Sequence, residues 1–209
     1  MEYNEKQLHL METAEKLFAE KGFAGTSVRD IAEAAVVNLA TISYYFGSKE
    51  KLMEAMFKYR GEYLKLRIQN LLQDDQASSL QKMERLVEDY ITRIFERRCF
   101  HMIMIREQRE NATGPISDQI YQLKQTNMQL IGQLIREGQD RGEFKPDIDI
   151  PFLMMTLVGT TSQLVTSQHL YRRVYDLQSM PDDEFEAQIK QRLINHIKQL
   201  FKAILINEK

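Results

Sequence analysis

Apolar residues recur every three to four positions along nearly the whole chain, and no stretch shows the strict alternation of a half-buried strand. Asn4 and Gln7 have capping-box spacing, Leu10, Ala14, Leu17 and Phe18 form one stripe, and Gly22 ends this first helix. Thr26 or Ser27 opens a second helix, with Val28, Ile31 and Ala32 inward and Arg29, Asp30 and Glu33 outward. A turn at Ala35-Val36-Val37 leads to a third helix from about Asn38 to Phe46, in which Ala40, Ile42 and Phe46 are expected to pack. Ser48 can cap a fourth, with Glu50 beside its positive dipole end; Leu52, Met56, Tyr59, Tyr63 and Leu66 carry its stripe to about Leu72.

A polar connector, Gln73–Ala77, precedes a fifth helix opened by Ser78 and Gln81 and reaching about Arg98. A short helix near Phe100–Gln108 and a loop at Asn111–Pro115 come next. A long helix spans about Ile116–Arg141 and stops at Gly142. Asp149 caps an uncharged helix with Pro151 in its first turn. A last helix starts at Asp182, with Phe185, Ile189, Leu193, Ile197, Leu200 and Ile204 inward. The pattern therefore predicts an all-α fold of about nine helices. A three-helix unit containing a helix-turn-helix occupies residues 1–50, and a C-terminal helical bundle occupies 51–209.

Composition changes this picture in three places. Ile150 to Tyr171 carries no charge, and a membrane span needs about 20 mostly apolar residues. Its second half holds Thr160, Thr161, Ser162, Gln163, Thr166, Ser167, Gln168 and His169, so a helix buried between helices is expected and no membrane association. A single cysteine, Cys99, fits a reducing compartment, and the N-terminus lacks a signal-peptide pattern; a cytoplasmic location is expected. Residues 1–50 hold five basic side chains (Lys6, Lys16, Lys21, Arg29, Lys49) against eight acidic ones. Since phosphate neutralisation drives most nucleic-acid affinity, that balance argues against a DNA-binding role unless the cations converge on one face.

Against that charge stand Gly25-Thr26-Ser27, Ile31-Ala32, Ala35, Val37, Tyr45-Phe46, Ser48-Lys49-Glu50 and Leu52. In this spacing they resemble the N-terminal signature of the TetR family of bacterial transcriptional regulators. The motif covers roughly a quarter of the chain. The resemblance implies a DNA-binding transcriptional regulator with a short recognition helix. It places Thr26 and Ser27 at a phosphate, with Arg29 nearby. Asn38, Leu39, Ala40, Thr41, Ser43 and Tyr44 would lie toward base edges and thymine methyls, and Tyr45 and Lys49 toward the backbone. Tyr44 and Tyr45 are consecutive, so they cannot both point inward on a helix. Two residues depart from the family. Val36 stands where glycine is common, so the turn must take another path or carry strain. Ser43 replaces the commoner tyrosine.

The family's C-terminal domain dimerises and usually binds a small ligand, so the resemblance implies a homodimer on a palindromic operator and a small-molecule effector. Phe152, Val158, Thr161, Val165, Leu193, Ile197, Leu200 and Ile204 are the expected interface. Tyr63, Arg67, Tyr90, His101, Met104, Tyr121, Met128, Met155, Thr156 and Gln163 are the candidate lining for an apolar or amphipathic ligand, although for any single methionine or aromatic among them a packed core is the favoured reading. Cys99 lies beside Arg97, Arg98 and His101, cations that would favour a thiolate, but an inert thiol is the default expectation. No phosphate-cradling loop, nucleophile elbow, paired catalytic carboxylates or metal-ligand spacing appears, so neither an enzyme nor a cofactor is expected. The alternative reading is a dimeric DNA-binding protein without a small ligand, controlled by a protein partner or acting architecturally.

Overall fold

The computed structural model describes residues 3–110 and 114–206, so the expected loop at Asn111-Ala112-Thr113 lies outside the described residues. Ten helices and no strands are found among them: α1 (Glu5–Lys21), α2 (Val28–Ala34), α3 (Leu39–Phe46), α4 (Lys49–Leu72), α5 (Ser79–Glu96), α6 (Arg98–Glu110), α7 (Pro115–Asp140), α8 (Ile150–Thr166), α9 (Gln168–Val174) and α10 (Asp182–Leu205). They form two compact units, one of residues 1–63 and 97–125, the other of 64–96 and 126–209. The boundary expected at residue 50 falls inside the first unit. α4 and α7 contribute residues to both.

Local chemistry explains most helix ends. Asn4 and Gln7 exchange side-chain and backbone bonds as a complete capping box on α1. Ser78 and Gln81 do the same before α5. Asp149 accepts from Phe152 N at the start of α8, with proline in its first turn. The uncharged stretch is not one helix. Thr166 Oγ1 donates back to Ser162 O and Gln163 O, and Ser167 leaves helical geometry at φ −119, ψ 28, separating α8 from α9. Hydroxyl side chains that bond the preceding turn bend helices, and this segment is rich in them. Among the described residues no helix is long and apolar enough to cross a membrane.

The first unit packs Leu10, Ala14 and Phe18 of α1 against Ile31, Ile42, Phe46, Leu52, Met53 and Met56, with Ile103 of α6 and Ile120 of α7. Beside this core lies a buried ion pair. Arg60 Nε of α4 donates to Glu15 Oε2 of α1 at 2.9 Å, both side chains being almost fully enclosed. Glu12 lies 3.9 Å from Arg60 and 3.7 Å from Arg97. In the second unit Phe185, Ile189, Leu193, Ile197, Phe201 and Leu205 of α10 meet Leu86, Val87 and Ile91 of α5 and Leu153 and Leu157 of α8. Leu200 and Ile204, expected on this stripe, sit one residue off it: Leu200 is half-buried and Ile204 is 40% exposed. Lys82 is fully enclosed; its Nζ donates to Glu137 Oε1 at 2.7 Å, which also pairs with Arg141.

The turn between α2 and α3 takes the strained of the two options open to it. Val36 adopts φ 55 with its side chain 90% exposed. A β-branched residue in the left-handed region costs about 1–2 kcal/mol, and at this exposure no burial offsets that. Val36→Gly therefore raises the unfolding free energy of the first unit by about 0.5–1 kcal/mol, glycine's extra unfolded-state entropy taking back part of the relief. Denaturant titration checks this, and a loss of stability would mean that the φ 55 geometry carries no strain.

Candidate nucleic-acid interface

α2 and α3 present their outward faces from a fixed base. Ser27 caps α2: its Oγ accepts from Asp30 N at 3.1 Å, while Ser27 N and Oγ both donate to Asp30 Oδ2 at 2.7 Å. These bonds to Ser27 hold the Asp30 carboxyl below its usual range. The helix N-terminus thus already carries an anion of its own. Thr26, expected at a phosphate, is a correction: it is 1% exposed, and its hydroxyl donates to Gly22 O at 2.8 Å and Leu17 O at 3.3 Å, closing the end of α1. Ser27 and Arg29 remain at least partly exposed at this edge.

Asn38 caps α3, its Oδ1 accepting from Ala40 N at 2.9 Å. Ile42 and Phe46 face the core, and Leu39, Ala40, Ser43 and Tyr44 face solvent. Ala40, expected among the packing positions, is outside. Thr41 is half-buried. Of the tyrosine pair, Tyr44 is 82% exposed and Tyr45 half-buried, their rings meeting edge-on at 5.1 Å. Four of the recognition-helix candidates, Leu39, Ala40, Ser43 and Tyr44, therefore gather on one exposed strip.

Lys49 does not join them as a free cation. Its Nζ donates to Phe23 O and Thr26 O, each at 2.8 Å, and sits 4.2 Å from the Phe23 ring centroid. It clamps the start of α4 onto the segment between α1 and α2. Lys51, two residues along, is exposed beside Gly47, where the chain turns at φ 80. The acidity counted over residues 1–50 also changes meaning. Glu15 and Glu12 are held by Arg60 and Arg97, and the whole first unit carries thirteen basic and thirteen acidic side chains. Nothing within residues 1–50 could reveal either partner.

The ligand candidates divide between the two units. Tyr63, His101, Met104 and Tyr121 belong to the first unit, and Arg67, Tyr90, Met128, Met155, Thr156 and Gln163 to the second. Tyr63, Tyr121, Met128 and Met155 are exposed at 47%, 61%, 37% and 64%, which corrects their placement on cavity walls. Thr156 spends its hydroxyl on Phe152 O, and Arg67 pairs with Asp89. Tyr90 is half-buried, its phenol pushed up by burial. Burial first, then Glu15 and Glu20, raise the Cys99 thiol, so the neighbouring cations do not yield a thiolate and the default of an inert thiol fits. A groove of about 760 Å³ does open in the second unit, along α8, α9 and α10, lined among others by Gly159, Gln163, Leu170, Tyr171, Tyr175 and His196. Its α9 wall is not anticipated by the sequence, because HLYRRV reads as a polar continuation of α8.

Three interface candidates face the wrong way. Thr161, Leu193 and Ile197 are buried within the second unit's own core, since their positions complete the inward stripes of α8 and α10. Phe152 is 68% exposed, and with Met155 and Gly159 it forms a bare stripe down the opposite face of α8, with Val158 and Val165 half-buried.

Comparison with known proteins bears on this arrangement. The family model for bacterial regulatory proteins, tetR family, matches residues 10–56, and a tetracyclin repressor-like C-terminal domain model matches 80–197. The chain is 25% identical over 158 residues to the transcriptional repressor KstR2 of Mycobacterium tuberculosis, covering 76% of this chain and 78% of that protein. It is 21% identical over 182 residues to the fatty acid metabolism regulator of Bacillus subtilis, covering 87% and 92%. The fold is similar to the structure of the ketosteroid regulator KstR2, with TM-score 0.73, 22% identity and 99% and 98% of the two chains covered. It is also similar to Bacillus subtilis FadR in complex with stearoyl-CoA, with TM-score 0.68, 19% identity and 91% and 96% covered.

The packing of the first unit sets two expected outcomes. Tyr44→Ala changes its stability by less than about 0.5 kcal/mol, whereas Lys49→Ala, which removes two charge-assisted bonds, costs about 1–2 kcal/mol by denaturant titration. Equal effects would mean that the Lys49 clamp does not hold in solution. His101, 5% exposed, has its pKa lowered from 6.5 to about 4, by burial first and then by Lys124. The unfolded chain therefore binds more protons between those values, and stability rises with pH across that window. Going from pH 7 to pH 5 costs on the order of 1–2 kcal/mol, and His101→Gln flattens that slope.

Proposed function

We propose that this chain, which belongs to the tetR family of bacterial regulatory proteins, is a homodimeric repressor of a palindromic operator, released by an apolar or amphipathic small ligand. The observation that carries the reading is the capped eight-residue α3, with Ile42 and Phe46 anchored in the core and Leu39, Ala40, Ser43 and Tyr44 left in solvent. A short helix anchored on one side and bare on the other is suited to enter a major groove. A bacterial regulator that acts on DNA works in the cytoplasm.

Two such heads reading successive turns of one DNA face require a dimer. The bare stripe of α8, Phe152, Met155 and Gly159, is flanked by half-buried Val158 and Val165 and suits a symmetric contact, with Leu200 and Ile204 of α10 contributing. The ligand arm rests on the relatives, a ketosteroid regulator and a regulator that holds stearoyl-CoA. Such a ligand lowers operator affinity only by binding the released state more tightly. The solvent exposure of Tyr63, Tyr121 and Met155, three of the lining candidates, supports a second reading, in which the same dimer is switched by a protein partner.

Selection of bound fragments from a random DNA pool with the purified protein is expected to enrich a palindrome. Failure to enrich one removes the regulator reading. With the operator in hand, stearoyl-CoA and a ketosteroid are titrated against the complex. Release by either, at least about fivefold in apparent affinity, supports the ligand arm; no release by either moves the conclusion to the second reading.

A further inference from the structure

The side chains that α3 exposes have a narrow chemistry. In the major groove guanine is read by a cation at O6 and N7, and adenine by a carboxamide at N6 and N7. The solvent-facing positions of α3 are Leu39, Ala40, Ser43 and Tyr44, with no arginine, lysine or glutamine among them. The carboxamide at this end, Asn38, has its Oδ1 bound to Ala40 N, so it does not offer the acceptor half of a bidentate adenine contact. Lys49, the first cation after the helix, is held by two backbone carbonyls.

What stands out at the leading end is apolar. Leu39 in the first turn is 45% exposed, and Val36, two residues before the cap, is 90% exposed at φ 55. Neither core packing nor backbone comfort accounts for a valine there. A backbone held in a costly conformation with its side chain in solvent is a feature to be explained by what the side chain meets. The apolar group that the major groove offers is the 5-methyl of thymine.

Resting on the DNA-reading function above, the geometry points to thymine 5-methyl groups as the main feature that α3 reads in each half-site. Leu39 is the specificity-determining side chain and Val36 extends its apolar edge, with guanine contacts left to Arg29 of α2. The operator is then one whose half-sites carry thymine beneath the first turn of α3.

The test uses the full chain and the enriched operator, with half-site thymines replaced one at a time by deoxyuracil. That base keeps the O4 acceptor and the pairing but lacks the methyl. For the unaltered protein, one position per half-site is expected to weaken Kd about fourfold, the effect of one buried methyl-sized group, and both half-sites together on the order of tenfold. Leu39→Ala binds more weakly yet no longer distinguishes thymine from deoxyuracil, whereas Leu39→Met keeps the difference. If deoxyuracil operators bind the unaltered protein as tightly as thymine operators, or if Leu39→Ala retains the full penalty, the thymine reading is overturned while the regulator stands. A pool that yields no palindrome sinks the regulator reading, and this proposal with it.

Discussion

The buried pair of Arg60 and Glu15 is the constraint on which the DNA-reading head depends. Removing one partner of such a pair strands a charge without water, at a cost of about 3–5 kcal/mol, so α1 and α4 have one way to lie against each other. Glu12 extends the contact to Arg60 and Arg97, which brings the start of α6 to the same strut. α1 in turn fixes the segment that leads into α2. Thr26 bonds the carbonyls of Leu17 and Gly22, and Arg106 of α6 donates to Phe18 O at 3.2 Å. Lys49 reaches back to Phe23 and Thr26. The orientation of α2 and α3 is inherited from this scaffold.

That scaffold also resolves the electrostatic objection to DNA binding. Glu12 and Glu15 look like repulsive charge when residues 1–50 are counted alone. In the folded unit they are the counter-ions of Arg60 and Arg97, residues far along the chain. Asp30 is occupied with its own helix N-terminus. Arg29 and Lys51, by contrast, keep access to solvent. A neutral unit whose acids are internally engaged can still show cations on the face that meets phosphate.

The features legible in the sequence are those encoded over three or four residues. The caps at Asn4, Ser78 and Asp149, the stripes of α1 and, as far as Ile197, of α10, and the exposed strip of α3 each reflect local spacing. The failures share a cause in distance. Lys49 meets carbonyls 26 and 23 residues away, and the arginine that neutralises Glu15 lies 45 residues along the chain. Thr26 is misleading at closer range, because a hydroxyl beside a cap can serve either helix and here it closes the earlier one. The split at Ser167 turns on which hydroxyls bond back to the preceding turn, a rotamer choice that residue type leaves open.

The uncharged character of α8 gains its meaning from the two faces taken separately. Leu153, Leu157 and Thr161 are enclosed by the second unit, as any core stripe would be. Phe152 and Met155 are 68% and 64% exposed, and a Cβ added at Gly159 would meet nothing within 4 Å. An outward face kept free of charge is unusual for a helix that water alone must cover, because polar residues there improve solubility at little structural cost. A glycine with open space above it permits close approach of another backbone, and the stripe continues into the exposed Leu170, Val174 and Tyr175 at α9. The same helix thus has an inner stripe set by the fold of one chain and an outer stripe that the fold of one chain does not use. Only the outer stripe is open to selection for assembly, which is why substitutions at Phe152 and at Leu153 belong to different problems.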